Sequence, residues 1–318
     1  MQYHNNITYR MGIDIGSTTV KVVLADAAQN IVFSRYRRHF SEIKKTVKEI
    51  LEEARKELGE CSFSTMITGS GGVALAKALE VEFIQEVVAT ANAIEAVAPQ
   101  TDVAIELGGE DAKIIYFSGG NVEQRMNGVC AGGTGSFIDQ MASLLQTDAT
   151  GLNEYAKNHE VIYPIASRCG VFAKTDIQPL INEGAKKEDL AASIFQAVVN
   201  QTIAGLACGK PIRGHVAFLG GPLHFLSQLR QRFIETLHLT DETALLPENS
   251  HLFAAYGTAL SNKGEADLNF TTLLSRLEHG AELAVEVDRL APLFRDGAEY
   301  EAFQTRHNQD KVKRVPIS

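Results

Sequence analysis

The chain has 318 residues, 45% hydrophobic and 22% charged. That is the balance of a globular protein with about two domains' worth of core, and it excludes a disordered or fibrous chain. A net charge of −9 offers no basic field for a phosphate backbone, so nucleic acid is not an expected partner. The four cysteines are too few for a secreted framework. With no charged-then-apolar leader and no run of about 18 uncharged apolar residues, a cytoplasmic protein away from the membrane is expected.

Met11 to Leu24 reads as a β-hairpin: two Ile- and Val-rich stretches flank the small polar turn Gly16 to Thr19. After Ser41, the residues Ile43, Val47, Ile50, Leu51, Ala54 and Leu58 keep helical register up to Gly59, which suits a left-handed helix end. Thr65 to Thr68 is a short strand leading into a glycine turn and a second helix, and Ala89 to Ala98 is helix-like. Val103 to Phe117 forms a second hairpin that lies on the first without gaps, Asp14-Ile15-Gly16 to Lys21 against Glu106-Leu107-Gly108 to Lys113. Acid, apolar residue, glycine and lysine recur in register, so two related subdomains facing one cleft are expected. Alternation of strands and helices favours an α/β layered fold.

The Gly-rich stretch Asn127 to Ser136 ends on a helix with Phe137, Met141, Leu144 and Leu145 on one face. Further on, Thr175 and Gln178 have capping-box spacing with Pro179 in the first turn, which predicts a helix from about Asp176 to Asn182. A long apolar helix, Leu190 to Ala207, precedes a strand at His215 to Leu219 and then Gly220-Gly221-Pro222, where proline starts another helix. Ala254 to Ala259 reads as a tightly packed small-residue helix. Three segments follow: residues 1–98 and 99–261 as the related subdomains, and 262–318 as an appendage with a charged helix over Phe270 to Asp296.

The hairpins supply what a triphosphate site needs. Open backbone N–H groups lie in a turn, Ser17, Thr18 and Thr19 bring hydroxyls, Lys21 a cation, and Asp14 a carboxylate able to hold magnesium through water. Glu106, Gly108, Gly109 and Asp111 form the opposite jaw. No GxxxxGK[ST] or GxGxxG pattern is present, which excludes a Walker loop and a dinucleotide fingerprint.

DIGSTTVK, ELGGEDAK, FLGGP and AAYGTA resemble the phosphate, adenosine and closing-helix segments of the actin-like (ribonuclease H-like) ATPase superfamily. NGVCAGGTGSF with SRCGVFAKTD resembles, more narrowly, the BadF/BadG/BcrA/BcrD family, over about Met11 to Ser261. The resemblance implies an ATPase that binds ATP or ADP with Mg2+ and carries one 4Fe-4S cluster between the two subunits of a homodimer. Cys130 and Cys169 of each chain would be its ligands. It further implies low-potential electron transfer to a 2-hydroxyacyl-CoA dehydratase-like partner, with ferredoxin or flavodoxin as donor. Two thiolates per chain need a two-fold axis to complete the four that a cube requires. By the same resemblance, Asp14 and Glu106 would hold the metal, and Ser17 to Thr19, Lys21, Gly16, Gly108 and Gly109 would touch phosphates. Glu106 or Asp111 would orient a nucleophile, Gly132, Gly133, Thr134 and Gly135 would link nucleotide to cluster, and Gly220 and Gly221 would pass the adenosine.

The family's DIGGQD segment has glutamates here at Glu106 and Glu110, Thr90 stands in place of a histidine, and Lys174 in place of an acid. These variants and the tail from Leu290 look like the first ATPase unit of long fused proteins. Two other readings stand beside the activator: a sugar kinase of the N-acetylglucosamine type, and a non-catalytic ATP sensor. Cys61 and Cys208 are read as structural, and His215 and His224 as structural or solvent-facing.

Overall fold

The computed structural model describes residues 8–127, 132–166, 169–264, 267–279, 291–309 and 311–312. The chain divides into two compact units, Met1–Ala281 and Glu282–Ser318. In the first unit, β1 (Thr8–Ile15), β2 (Thr19–Ala25) and β3 (Ile31–Arg38) form an antiparallel meander. Helix α1 (Ile43–Leu58) then returns the chain to β4 (Ser62–Thr68), parallel to β1. The helix buries Val47, Ile50, Leu51 and Ala54 on one stripe, and Gly59 ends it with φ 75°. Helix α2 (Gly72–Leu79), β5 (Glu82–Phe83) and α3 (Glu86–Val97) complete this half.

The same βββαβ plan recurs. Strands β6 (Val103–Leu107), β7 (Ala112–Ser118) and β8 (Asn121–Asn127) form a second meander. Helices α4 (Gly135–Leu144), α5 (Ala149–Ala156), α6 (Gly170–Asn182) and α7 (Lys187–Thr202) lead to β9 (Val216–Leu219), parallel to β6. Then come α8 (Gly221–Phe225), α9 (Ser227–Leu237) and β10 (Ala244–Leu245), before α10 (Phe253–Ser261), β11 (Leu268–Asn269) and α11 (Phe270–His279) return to the first sheet. The sheet orders are β11-β4-β1-β2-β3, with β5 on β4, and β10-β9-β6-β7-β8. Asp14 pairs with Lys21 across β1 and β2, and Glu106 with Lys113 across β6 and β7. The repeat seen in the sequence is thus a repeat of strand register.

Central strands are buried on both faces, with Ile13, Ile15, Val22 and Val23 fully inaccessible. Each such side chain contributes about 1.5–3 kcal/mol. Helix α7 and its π turn, Ile203–Ala207, are long and apolar enough to cross a membrane, yet 67% of that stretch is buried, with Phe195 and Val198 in the second half's core. It is a core helix.

Two readings of the sequence need correction. Helix α6 begins at Gly170, not Asp176, so Thr175 caps nothing; its hydroxyl donates to Val171 O inside the helix at 3.0 Å. Pro179 is an interior residue of that helix. Of the charged helix expected over Phe270 to Asp296, Phe270–His279 is helical and residues 291–296 are not, while residues 280–290 lie outside the described residues. Within the segment set apart from residue 262, β11 pairs with β4 and Phe270 packs on Phe63 with ring centroids 4.8 Å apart. In the second unit, α12 (Gly297–Gln309) carries Tyr300 and Phe303 against Phe294.

Candidate nucleotide site

The turn after β1 closes through Gly16 N–H to Thr19 O at 2.9 Å, and His39 holds it from behind through Thr18 O and Gly16 O, both at 3.1 Å. The matching turn after β6 closes through Gly108 N–H to Asp111 O at 2.8 Å. The two turns touch: a Cβ at Gly109 would run into the Thr18 side chain, so only glycine permits the approach. Around this contact lie a cavity of about 520 Å³ and a smaller one of about 210 Å³, sharing Thr19, Tyr36, Gly109 and Gly221 as walls.

The larger cavity is charged. Lys21 Nζ lies 2.6 Å from Asp14 Oδ2, and the other Asp14 oxygen is buried with no hydrogen-bond partner. Burial alone would depress the Lys21 ammonium, but Asp14 outweighs it, with help from Glu86 and Tyr36, and holds it above its ordinary range. In the second jaw, Lys113 Nζ sits 2.7 Å from Asp111, 2.8 Å from Glu86 and 3.8 Å from Glu106. Burial opposes the Lys113 charge, and these three carboxylates overcome it. One cation therefore faces three acids. Burial pushes the Glu106 carboxyl up to about 7 against the pull of Lys113, and burial likewise raises Glu86. Glu106 Oε2 is buried without a hydrogen bond. Two orphaned, buried carboxylate oxygens, with Asp14, Glu86, Glu106 and Asp111 set against Lys21 and Lys113, are the chemistry of a hard divalent cation site.

Of the residues singled out in the sequence, Gly16, Ser17, Thr19, Lys21, Glu106 and Gly108 line the larger cavity, as do Gly109, Asp111, Gly220 and Gly221. Thr18 and Gly135 line the smaller one, and Asp14 is buried at Lys21. Gly132, Gly133 and Thr134 are buried and wall neither cavity. Their loop is nonetheless joined to the site, because Gly135 N–H donates to Gly108 O at 3.0 Å and Ser136 N–H to Gly109 O at 2.8 Å. Cys130 lies outside the described residues. Cys169 stands half-buried at the N-cap of α6 as a free thiol, followed by exposed Val171 and Phe172. The segment before it is held by Asp176, which accepts from Ala166 N–H at 2.7 Å, and by Asp189, which accepts from Glu160 and Val161 at 2.7 and 2.9 Å. Among described residues, no group of three or more His, Cys, Asp or Glu side chains is arranged to hold a metal by itself.

Reasoning from the sequence missed Glu86, the first residue of α3, whose partner lies in the other repeat. Lys113 was visible as the repeat of Lys21. It also missed His251, which lines the larger cavity, stacks on His224 with ring centroids 4.0 Å apart, and has its pKa lowered to about 4 by burial and then by His224 and Lys21. His224 itself accepts or donates at Ser250 Oγ, 2.9 Å away.

A family model described as the BadF/BadG/BcrA/BcrD ATPase family matches residues 11–239. The chain belongs to this ATPase family. The (R)-2-hydroxyglutaryl-CoA dehydratase activating ATPase of Acidaminococcus fermentans is 30% identical over 217 residues, 67% of this chain and 82% of the relative. The 2-hydroxyisocaproyl-CoA dehydratase activator of Clostridioides difficile is 29% identical over 265 residues, 81% and 96% of the two chains. The crystal structure of the Acidaminococcus fermentans dehydratase component A matches with a TM-score of 0.70 at 28% identity, covering 80% of this ATPase and 97% of that chain. The paired βββαβ halves of this ATPase are accordingly the actin-like ATPase fold, with its nucleotide cleft between them.

Proposed function

We propose that this ATPase is an activator that couples ATP hydrolysis to delivery of a low-potential electron from a 4Fe-4S cluster shared by two subunits to a dehydratase-like enzyme. The observation that carries the reading is the pair of hydrogen bonds from Gly135 and Ser136 to the Gly108-Gly109 turn. They tie the phosphate jaw to the start of α4, five residues beyond Cys130 in the chain. A nucleotide that moves this turn would move the start of α4 with it. Such coupling works only if nucleotide prefers one of the two poses.

The residues suit both groups. Cys169 is half-exposed at the N-cap of α6, and exposed Val171 and Phe172 beside it suit a subunit contact. Cys130 and Cys169 from two chains would be the ligands, and the cluster would store the electron to be passed on. In the cleft, Asp14 and Glu106 would hold magnesium, directly or through waters, which would neutralise phosphate charge. Ser17, Thr18, Thr19 and the two glycine turns would hold the phosphates, and Gly221 and Phe225 the adenosine in the smaller cavity. Lys113 is engaged by both Asp111 and Glu86, at 2.7 and 2.8 Å, and stands 3.8 Å from Glu106. That leaves Glu106 to orient water and take its proton as the water oxygen bonds to the γ-phosphorus and the bond to the bridging oxygen breaks. A reduced, cytoplasmic setting with ferredoxin or flavodoxin as donor fits the free Cys61, Cys169 and Cys208.

Anaerobic preparation tests this directly. The parent should hold about four irons and four sulfides per dimer and hydrolyse ATP. Cys130→Ala and Cys169→Ala should each lose the iron and keep ATP binding. A colourless monomer that transfers phosphate to a sugar would refute it.

A further inference from the structure

Strand β3 was not anticipated from the sequence, and its alternation is informative. Side chains of a strand face opposite sides at every second residue. Arg35 and Arg37 turn toward α1, where they pair with Glu53, Glu49 and Glu57. Tyr36 and Arg38 turn the other way and cross to the second half. The Tyr36 hydroxyl packs on Gly221, at a point where a Cβ would collide with it, and its ring meets Phe225 and His251 edge-on at 5.6 Å. Arg38 Nη2 reaches Asp139 Oδ2 on α4 at 2.8 Å. Both ends of that ion pair wall the smaller cavity, beside Thr18, Gly135 and Ser136. Arg38 also faces Thr19 of the first phosphate turn across the β2–β3 register.

We propose that Arg38 and Asp139 form a clasp across the rim of the smaller cavity, closing β3 over α4 behind a bound nucleotide and so setting how fast nucleotide leaves. This rests on the nucleotide reading above and adds two positioning residues to it. The pair joins the half that carries the first phosphate turn to the helix that carries the second half's Gly-rich loop. A nucleotide seated between Thr18 and Gly221 can leave by the smaller cavity only when these two side chains part. With side chains 51% and 37% exposed, the pair is too wet to hold the halves together by itself. It acts as a gate and contributes little to the fold.

Release of the fluorescent analogue mant-ADP, followed by stopped flow on the full chain, reads the clasp. Arg38→Ala and Asp139→Ala should each speed release about two- to five-fold. Arg38→Asp and Asp139→Arg should do so about ten-fold, because like charges then meet. The doubly reversed protein should return to within about two-fold of the parent, and Arg38→Lys should retain most of the retention. In steady state the single variants should show the effect in KM and not in kcat. Single reversals that release at the parent rate, or a double reversal no slower than either single one, would overturn the clasp while leaving ATP binding intact. A parent chain that binds no mant-ADP overturns both readings.

Discussion

Glu106→Gln separates what the site costs the fold from what it does for catalysis. In the free protein, burial lifts the Glu106 carboxyl from 4.5 to about 7. A raised acid means that the folded chain prefers the protonated form. Below about pH 4.5 the group is neutral folded or unfolded and burial costs no charge. Between pH 4.5 and 7 the unfolded chain ionises first, and the penalty grows; above 7 it is complete. Two and a half pH units correspond to about 3 kcal/mol, an upper figure for a group that is 7% exposed. Glutamine is neutral throughout. Urea unfolding in EDTA without nucleotide should find the variant more stable than the parent by up to about 3 kcal/mol at pH 8, with the gap closing toward pH 5. ATP hydrolysis should meanwhile fall about a hundred-fold or more. A stability difference that is flat with pH, or of the opposite sign, would refute the account of Glu106 as a buried acid awaiting a cation.

Removing the cation has the reverse effect. Lys113→Met should destabilise the nucleotide-free protein by about 3–5 kcal/mol at pH 8, because Glu86, Glu106 and Asp111 are left without their common partner; thermal unfolding checks it, and an unchanged Tm would contradict the ion network. His251, lowered to about 4 by burial, favours its neutral form in the folded chain. Its contribution is present above the unfolded value of 6.5 and is lost as pH falls through 4, so His251→Gln should be less acid-sensitive between pH 6 and 4 than the parent. Parallel pH–stability curves for the two proteins would count against it.

The sequence carried the parts of this site that are local. Asp14 to Lys21 and Glu106 to Lys113 are each a strand, turn and strand, so their pairing follows from spacing alone. The small-residue helix at Ala254 also packs as expected, buried along nearly all its length. Contacts between the repeats were not legible. Glu86 gives no signal at the head of an apolar helix, because Lys113 reaches it only after both sheets have formed. Arg38 and Asp139 are two ordinary charges until β3 lies against α4. Where local signals misled, at Thr175 and Gln178, the capping-box spacing was genuine, but the helix had already started at Gly170. Propensity and spacing describe a helix end only when no helix precedes it.

The position of Pro179 has a mechanical consequence. Lacking an N–H, it leaves the Thr175 carbonyl without its helical partner, and the ring crowds the turn before it. The first two turns of α6, which start at Cys169, are therefore more weakly joined to the last turn than in an unbroken helix. Burial anchors them only at Ala173 and Ile177. A thiol mounted on such a compliant arm can change its heading at the cost of few hydrogen bonds, while the core under α7 stays still.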